Sequence, residues 1–132
     1  MEKQIELLKK YGVNNYTIEN GIVIINGSLY LRSLTTVDKD FLKNTTINGD
    51  LDLRSLTTVD KDFLKGTIIN GGLNLRSLTT VDKDFLKGTT INGRLDLRFL
   101  IYRNQKCSLE KLKIIKYINT KWMKRKKNIG NA

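Results

Sequence analysis

The chain contains no histidine, no proline and a single cysteine among its 132 residues. Without histidine there is no Ser-His-Asp triad, no Cys-His pair and no imidazole-held metal. One cysteine, Cys107, builds neither an internal disulfide framework nor a thiolate zinc site. No apolar run approaches the roughly 20 residues that span a bilayer. The opening Met1-Glu2-Lys3-Gln4 lacks the apolar stretch of a secretory signal. There is no Gly-rich phosphate loop, since Gly71-Gly72 is not followed by Lys-Ser/Thr. Together these absences predict a soluble cytoplasmic protein that is not an enzyme and holds no cofactor or metal.

Acidic residues are scarce at one end only. The net charge is +11, yet residues 1–24 are balanced and residues 25–100 sum to +2. Residues 101–132 carry ten basic residues against Glu110 alone. The basicity therefore belongs to the C-terminal segment, and the repeats themselves are close to neutral.

What the chain has in abundance is repetition. Residues 25–46 read INGSLYLRSLTTVDKDFLKNTT, residues 47–68 INGDLDLRSLTTVDKDFLKGTI and residues 69–90 INGGLNLRSLTTVDKDFLKGTT. Residues 91–98, INGRLDLR, begin a fourth copy. A 22-residue unit is too short to bury a core alone, so it must stack on its neighbours. Leu51 and Leu53 alternate with Asp50, Asp52 and Arg54, the period of a strand. Leu56, Val59, Phe63 and Leu64 follow in a looser spacing that suits a short helical or extended back segment, with Asp60 placed to cap it. Equivalent strands then pair in parallel about 4.8 Å apart. The expected core is a stack of like on like: Leu29/51/73/95, Leu31/53/75/97, Leu34/56/78/100, Val37/59/81 and Phe41/63/85.

A solenoid has two open ends to cover. Ile5, Leu8 and Tyr11 fall at helical spacing, and residues 16–25 read as a hairpin around Asn20-Gly21. At the other end Leu109, Leu112, Ile115, Ile118 and Trp122 share one helical face. The expected architecture is an α/β repeat solenoid of about four coils with a parallel sheet on one face. It divides into a helix-hairpin N-cap (1–24), the solenoid (25–100) and a basic C-terminal capping helix and tail (101–132).

The G-x-L-x-L units, the first three followed by Leu-Thr-Thr-Val, resemble the leucine-rich-repeat-like units of phage, bacterial and giant-virus proteins. The opening helix ending in Tyr11-Gly12, then Asn15-Tyr16-Thr17-Ile18 and Gly21-Ile22-Val23-Ile24, resembles the N-terminal cap of such proteins. The resemblance covers residues 2–100. It implies a protein-binding scaffold, and a phage- or virus-encoded factor acting on a host protein in the host cytoplasm. The chain departs from the standard repeat where Leu34, Leu56, Leu78 and Leu100 replace the usual Asn or Cys ladder.

Only four positions differ among the three full copies: Ser28/Asp50/Gly72, Tyr30/Asp52/Asn74, Asn44/Gly66/Gly88 and Thr46/Ile68/Thr90. The fourth copy adds Arg94 and Asp96. The first two sets alternate with the leucines, so they should face outward on the sheet. The latter two fall in the connecting turn. Either the outward positions drift unconstrained, or the face is a recognition surface tuned copy by copy. The same face carries Arg32, Arg54, Arg76 and Arg98, whose charges need neutralising. Asp50, Asp52 and Asp96 are close enough to help. This ladder is either laced by those acids or an anchor row for an acidic partner or phosphates. The predicted partner-binding residues are therefore Tyr30, Arg32, Asp50, Asp52, Arg54, Asn74, Arg76, Arg94, Asp96 and Arg98.

The pairs Asp38/Asp40, Asp60/Asp62 and Asp82/Asp84 have a Lys inside each pair and repeat identically, which favours capping over calcium or catalysis. Lys121, Trp122, Lys124, Arg125, Lys126 and Lys127 form a basic block. It ends a capping helix at the negative pole of its dipole, or binds nucleic acid or an anionic surface. A nucleic-acid-binding module using the Arg ladder and this tail is thus the alternative to the protein scaffold.

Overall fold

The computed structural model describes residues 2–82 and 84–98. The chain forms a β-solenoid of about three turns with parallel sheets and one short helix. Helix α1 (Glu2–Lys10) precedes a hairpin of β1 (Tyr16–Glu19) and β2 (Ile22–Ile25). Seven two-residue strands follow: β3 (Leu29–Tyr30), β4 (Thr46–Ile47), β5 (Leu51–Asp52), β6 (Ile68–Ile69), β7 (Leu73–Asn74), β8 (Thr90–Ile91) and β9 (Leu95–Asp96). They assemble into two sheets, β1-β2-β4-β6-β8 and β3-β5-β7-β9. Apart from the antiparallel hairpin, every pairing is parallel.

The register follows the sequence period: Leu29 pairs with Leu51, Leu51 with Leu73, and Leu73 with Leu95. The hairpin forms around Asn20-Gly21, both at positive φ (54° and 77°), as a two-residue Asn-Gly turn requires.

Each coil thus has two strands where the sequence predicts one. Thr46, Ile68 and Thr90, expected in a connecting turn, lie on β4, β6 and β8. The back segment differs as well: among the described residues it forms turns and no helix. Asp60 Oδ1 accepts the backbone N–H of Asp62 at 2.9 Å, and Asp38 and Asp82 act alike on Asp40 and Asp84. The carboxylates therefore close local Asx turns. The preceding Thr-Thr-Val is β-branched and resists helix, and Thr79 N donates to Thr57 O of the coil before.

The core is the expected stack with two corrections. Leu51, Leu53, Leu56, Phe63 and their equivalents Leu73, Leu75, Leu78 and Phe85 are fully buried. Leu34, Val37, Val59 and Val81 are only partly buried and pack against it. In their place stand Leu42, Leu64 and Leu86, with Ile25, Ile47 and Ile69 from the second sheet. Thr45, Thr67 and Thr89 are buried too. Their hydroxyls suit the interior because each finds a carbonyl: Thr67 Oγ1 donates to Leu42 O, and Thr89 Oγ1 to Leu64 O at 2.8 Å. Asn48, Asn70 and Asn92 form a side-chain amide ladder at the corner between the strands.

Helix α1 packs on the first coil. Leu7 and Leu8 are its buried residues, and Ile5 is half-buried. Tyr11 lies 4.6 Å from Phe41 between ring centroids and accepts the Asp38 N–H at 3.0 Å. Gln4 Nε2 donates to Phe41 O, Lys43 O and Thr45 Oγ1. That amide serves carbonyls and a hydroxyl at the end of the stack, where no earlier coil exists to do so. The predicted C-terminal helix and the basic block, with Leu100 and Cys107, lie outside the described residues.

Two glycine positions test different constraints. A Cβ on Gly71 would stand 2.7 Å from the backbone of Gly49 on the coil below. Gly88 has room, with its nearest neighbour at 3.7 Å, but its φ is +82°. Gly71→Ala should lower stability by about 1–3 kcal/mol through forced separation of the coils. Gly88→Ala should cost only about 1 kcal/mol, from backbone conformation alone. Urea midpoints of the two variants give the comparison.

Candidate functional site

The outward side of the four-stranded sheet is assembled from three cross-coil rows. One row is Ser28, Asp50, Gly72 and Arg94, immediately before the strands. The next is Tyr30, Asp52, Asn74 and Asp96, paired strand to strand. The third is Arg32, Arg54, Arg76 and Arg98, two residues on. The period carries equivalent residues into line, so sequence neighbours on one strand become members of three parallel rows.

The rows enclose an open groove of about 560 Å³. Nine of the ten predicted residues line it; Arg76 stands outside the lining. Leu51, Leu73 and three glycines, Gly71, Gly72 and Gly93, complete the lining, and the glycines leave backbone uncovered.

The rows are not uniform in charge pairing. Asp52 is the focus of the first half. Its side chain is only 8% exposed, although its position alternates with inward leucines. Arg54 reaches it through Nη2 at 2.6 Å and Nε at 3.0 Å, and Arg32 Nε reaches it at 2.8 Å. Burial pushes the Asp52 carboxyl up, and the bonds from Arg54 and Arg32 outweigh that, holding it below the usual value of 3.8. The same bond raises the pKa of Arg54. Arg32 also lies over the Tyr30 ring, its Cζ 4.5 Å from the centroid. In the fourth coil Arg98 holds Asp96 through two side-chain bonds, at 2.8 and 3.1 Å.

Asp50 does not join this network. Its Oδ1 accepts the Gly72 N–H at 2.7 Å, and its own N–H donates to Ser28 Oγ at 2.9 Å. It ties coil to coil, which corrects the expectation that it neutralises an arginine. Asn74 takes the place of Asp in the third coil and accepts the Arg76 N–H at 3.1 Å. Among the described residues the guanidinium groups of Arg76 and Arg94 have no hydrogen-bond or carboxylate partner.

Elsewhere, Asp40 is held below its usual value by hydrogen bonds from Lys43 and then Lys3. That places Lys3 of α1 beside the first back turn. Ile18, Ile22 and Ile68 are exposed on the other sheet. The basic block of residues 121–127 lies outside the described residues. No helix among the described residues is long and apolar enough to cross a membrane.

The comparisons with known proteins add nothing to this geometry: no family model, no curated protein and no solved structure matches the chain.

The shared carboxylate makes a signed prediction. A group whose folded pKa lies below its unfolded value stabilises the fold above the unfolded pKa and stops doing so as pH falls through the folded one. Asp52→Asn should therefore lower the urea midpoint at neutral pH. The gap to the parent should begin to close as pH drops below about 4, where the carboxylate of the unfolded chain takes up its proton. It should vanish only once pH has fallen through the lower pKa of Asp52 in the folded state. A gap independent of pH would show that the Asp52 charge contributes nothing.

Proposed function

We propose that this chain is a non-enzymatic scaffold that binds a protein partner through the grooved face of its four-stranded sheet. The observation that carries the reading is where the copies differ. Of the four varying sets, two are the first two rows of the groove. A third, Asn44/Gly66/Gly88, has φ of 55°, 75° and 82°, so only residues tolerant of a left-handed backbone fit there. Its variation has a backbone cause. The groove positions have no such restriction, yet they change most, through Ser, Asp, Gly and Arg in one row. The core and back turns repeat unchanged.

The finer architecture belongs to the same proposal. We read four leucine-rich-repeat-like coils closed by the helix and hairpin at one end and by a helical segment within residues 101–132 at the other. The resemblance to repeat proteins of phage, bacteria and giant viruses supports a scaffold, and a viral factor that engages a host protein in the host cytoplasm. The nucleic-acid alternative needs a row of available cations. Arg32, Arg54 and Arg98 are already engaged by Asp52 and Asp96, so that reading rests chiefly on the basic tail.

Affinity capture, with and without nuclease, compares the parent with an Arg76→Glu/Arg94→Glu variant. Arg54 is unsuited to reversal, because a Glu there would face buried Asp52. The scaffold reading expects a discrete protein that survives nuclease and is lost with the double variant. Recovery that disappears with nuclease, or that ignores the variant, would overturn it.

A further inference from the structure

The grooved face of the sheet has a charge polarity along the solenoid axis. In the first two coils its three rows hold Ser28, Tyr30 and Arg32, then Asp50, Asp52 and Arg54, which sum to zero. In the next two they hold Gly72, Asn74 and Arg76, then Arg94, Asp96 and Arg98, which sum to +2. The third coil loses both carboxylates that the second carries, and the fourth gains a guanidinium.

The hydrogen bonds follow the same division. Asp52 satisfies the arginines of coils one and two. Arg76 stands to Asp96 in sequence as Arg32 stands to Asp52, but Asp96 is held by Arg98. Arg76 and Arg94 are thus left as two cations without a carboxylate among the described residues. They lie on adjacent coils, four residues apart along the strand direction by register, which is about 13 Å. An extended chain places the side chains of residues i and i+4 on one side at that same separation. Gly72, directly beside Arg94 on the third coil, carries no side chain, so a peptide backbone can approach the sheet there. The positions between the two cations are the uncharged Asn74 and Asp96, which Arg98 holds.

We propose, resting on the scaffold reading above, that the partner presents an extended acidic segment. This segment lies along the third and fourth coils and places carboxylates four residues apart on Arg76 and Arg94. Arginine suits the role, since its planar fork takes a carboxylate through two parallel bonds.

The second coil supplies the test, because there Asp52 holds Arg54 from the position that Asn74 takes in the third. A carboxylate at 74 would stand between Asp52 and Asp96, so the fold of that variant is verified before its binding is read. Asn74→Asp gives Arg76 an internal carboxylate, as Asp52 gives one to Arg54, without changing side-chain size. Arg94→Gln removes the other cation. The probe is a fluorescein-labelled peptide of alternating Glu and Ser, with a Gln-for-Glu analogue and an oligothymidylate as controls. Fluorescence anisotropy on the full chain reads binding, and circular dichroism verifies each variant's fold. We expect the Glu peptide to bind and the Gln peptide not to. Each variant should weaken the Glu peptide about threefold or more. Glu-peptide affinity unchanged in both variants would overturn the proposal and assign the peptide to other cations, such as the basic tail. If the Glu peptide fails to bind while a captured protein is still lost with Arg76→Glu/Arg94→Glu, the acidic-segment inference falls and the scaffold reading stands. If the oligothymidylate displaces the Glu peptide and is itself weakened by the same variants, both fall.

Discussion

Every feature of this molecule depends on one constraint: residue i must sit on residue i+22 at the spacing of a parallel β-pair. The main chain enforces it well beyond the short strands. Asn70 N donates to Ile47 O and Gly71 N to Gly49 O at the corner, while Leu51 N donates to Gly72 O and Leu53 N to Asn74 O on the next strand. The corner glycines show how tight the stack is. Cβ atoms on Gly49, Gly71 and Gly93 would all fall under 3 Å from backbone of the preceding coil. A side chain at that corner would open the spacing and weaken the ladders on both sides of it. Once the spacing is fixed, the Phe, Leu, Thr and Asn ladders follow from repetition, because each residue meets its own kind at van der Waals or hydrogen-bond distance.

Repetition that benefits the core is costly for charge. Identical carboxylates on neighbouring strands would stand about 5 Å apart and repel. The row Tyr30, Asp52, Asn74, Asp96 avoids this, since no Asp in it is directly beside another. Asp52, flanked by a ring and an amide, is free to sink toward the sheet and gather two guanidinium groups. The aspartates of the back segment do repeat in line. There the first of each pair, Asp38, Asp60 and Asp82, is turned inward on its own chain, its oxygen on the N–H two residues ahead. Breaking the identity of the repeat on the strands is therefore partly an electrostatic requirement, and it differs from coil to coil in how completely it is met.

The period, the inward leucines, the Asn-Gly hairpin and the first helix were all legible, because each is a strong local pattern. The second strand was not. Thr46-Ile47 is two residues long and too short to show alternation, and its pairing exists only through the coils on either side. Thr67 is polar, and its burial depends on a carbonyl 25 residues earlier that accepts its proton, a contact no local pattern marks. On the groove, the sequence located nine of the fourteen lining residues, through copy-to-copy variation and the Arg ladder. It did not reveal that Asp52 serves two arginines while Asp50 serves none. Both are Asp beside Leu51, one just before the strand and one on it. The difference arises from the backbone N–H of Gly72, which lies within reach of Asp50 alone.

That distinction shows what this architecture offers a binding surface. The contacts that fix each coil are chiefly main-chain bonds, inward apolar side chains and corner glycines; of the outward side chains, Ser28 and Asp50 add bonds to the backbone of the next coil. One outward residue can change without disturbing the spacing of its neighbours. Yet each change is felt in the adjacent row, because a guanidinium spans the distance between coils, as Arg32 does in reaching Asp52. Replacing a single Asp by Asn in the third coil leaves Arg76 unneutralised and leaves the fold as it was. The surface is edited one coil at a time, and its charge is set by pairs that cross between coils.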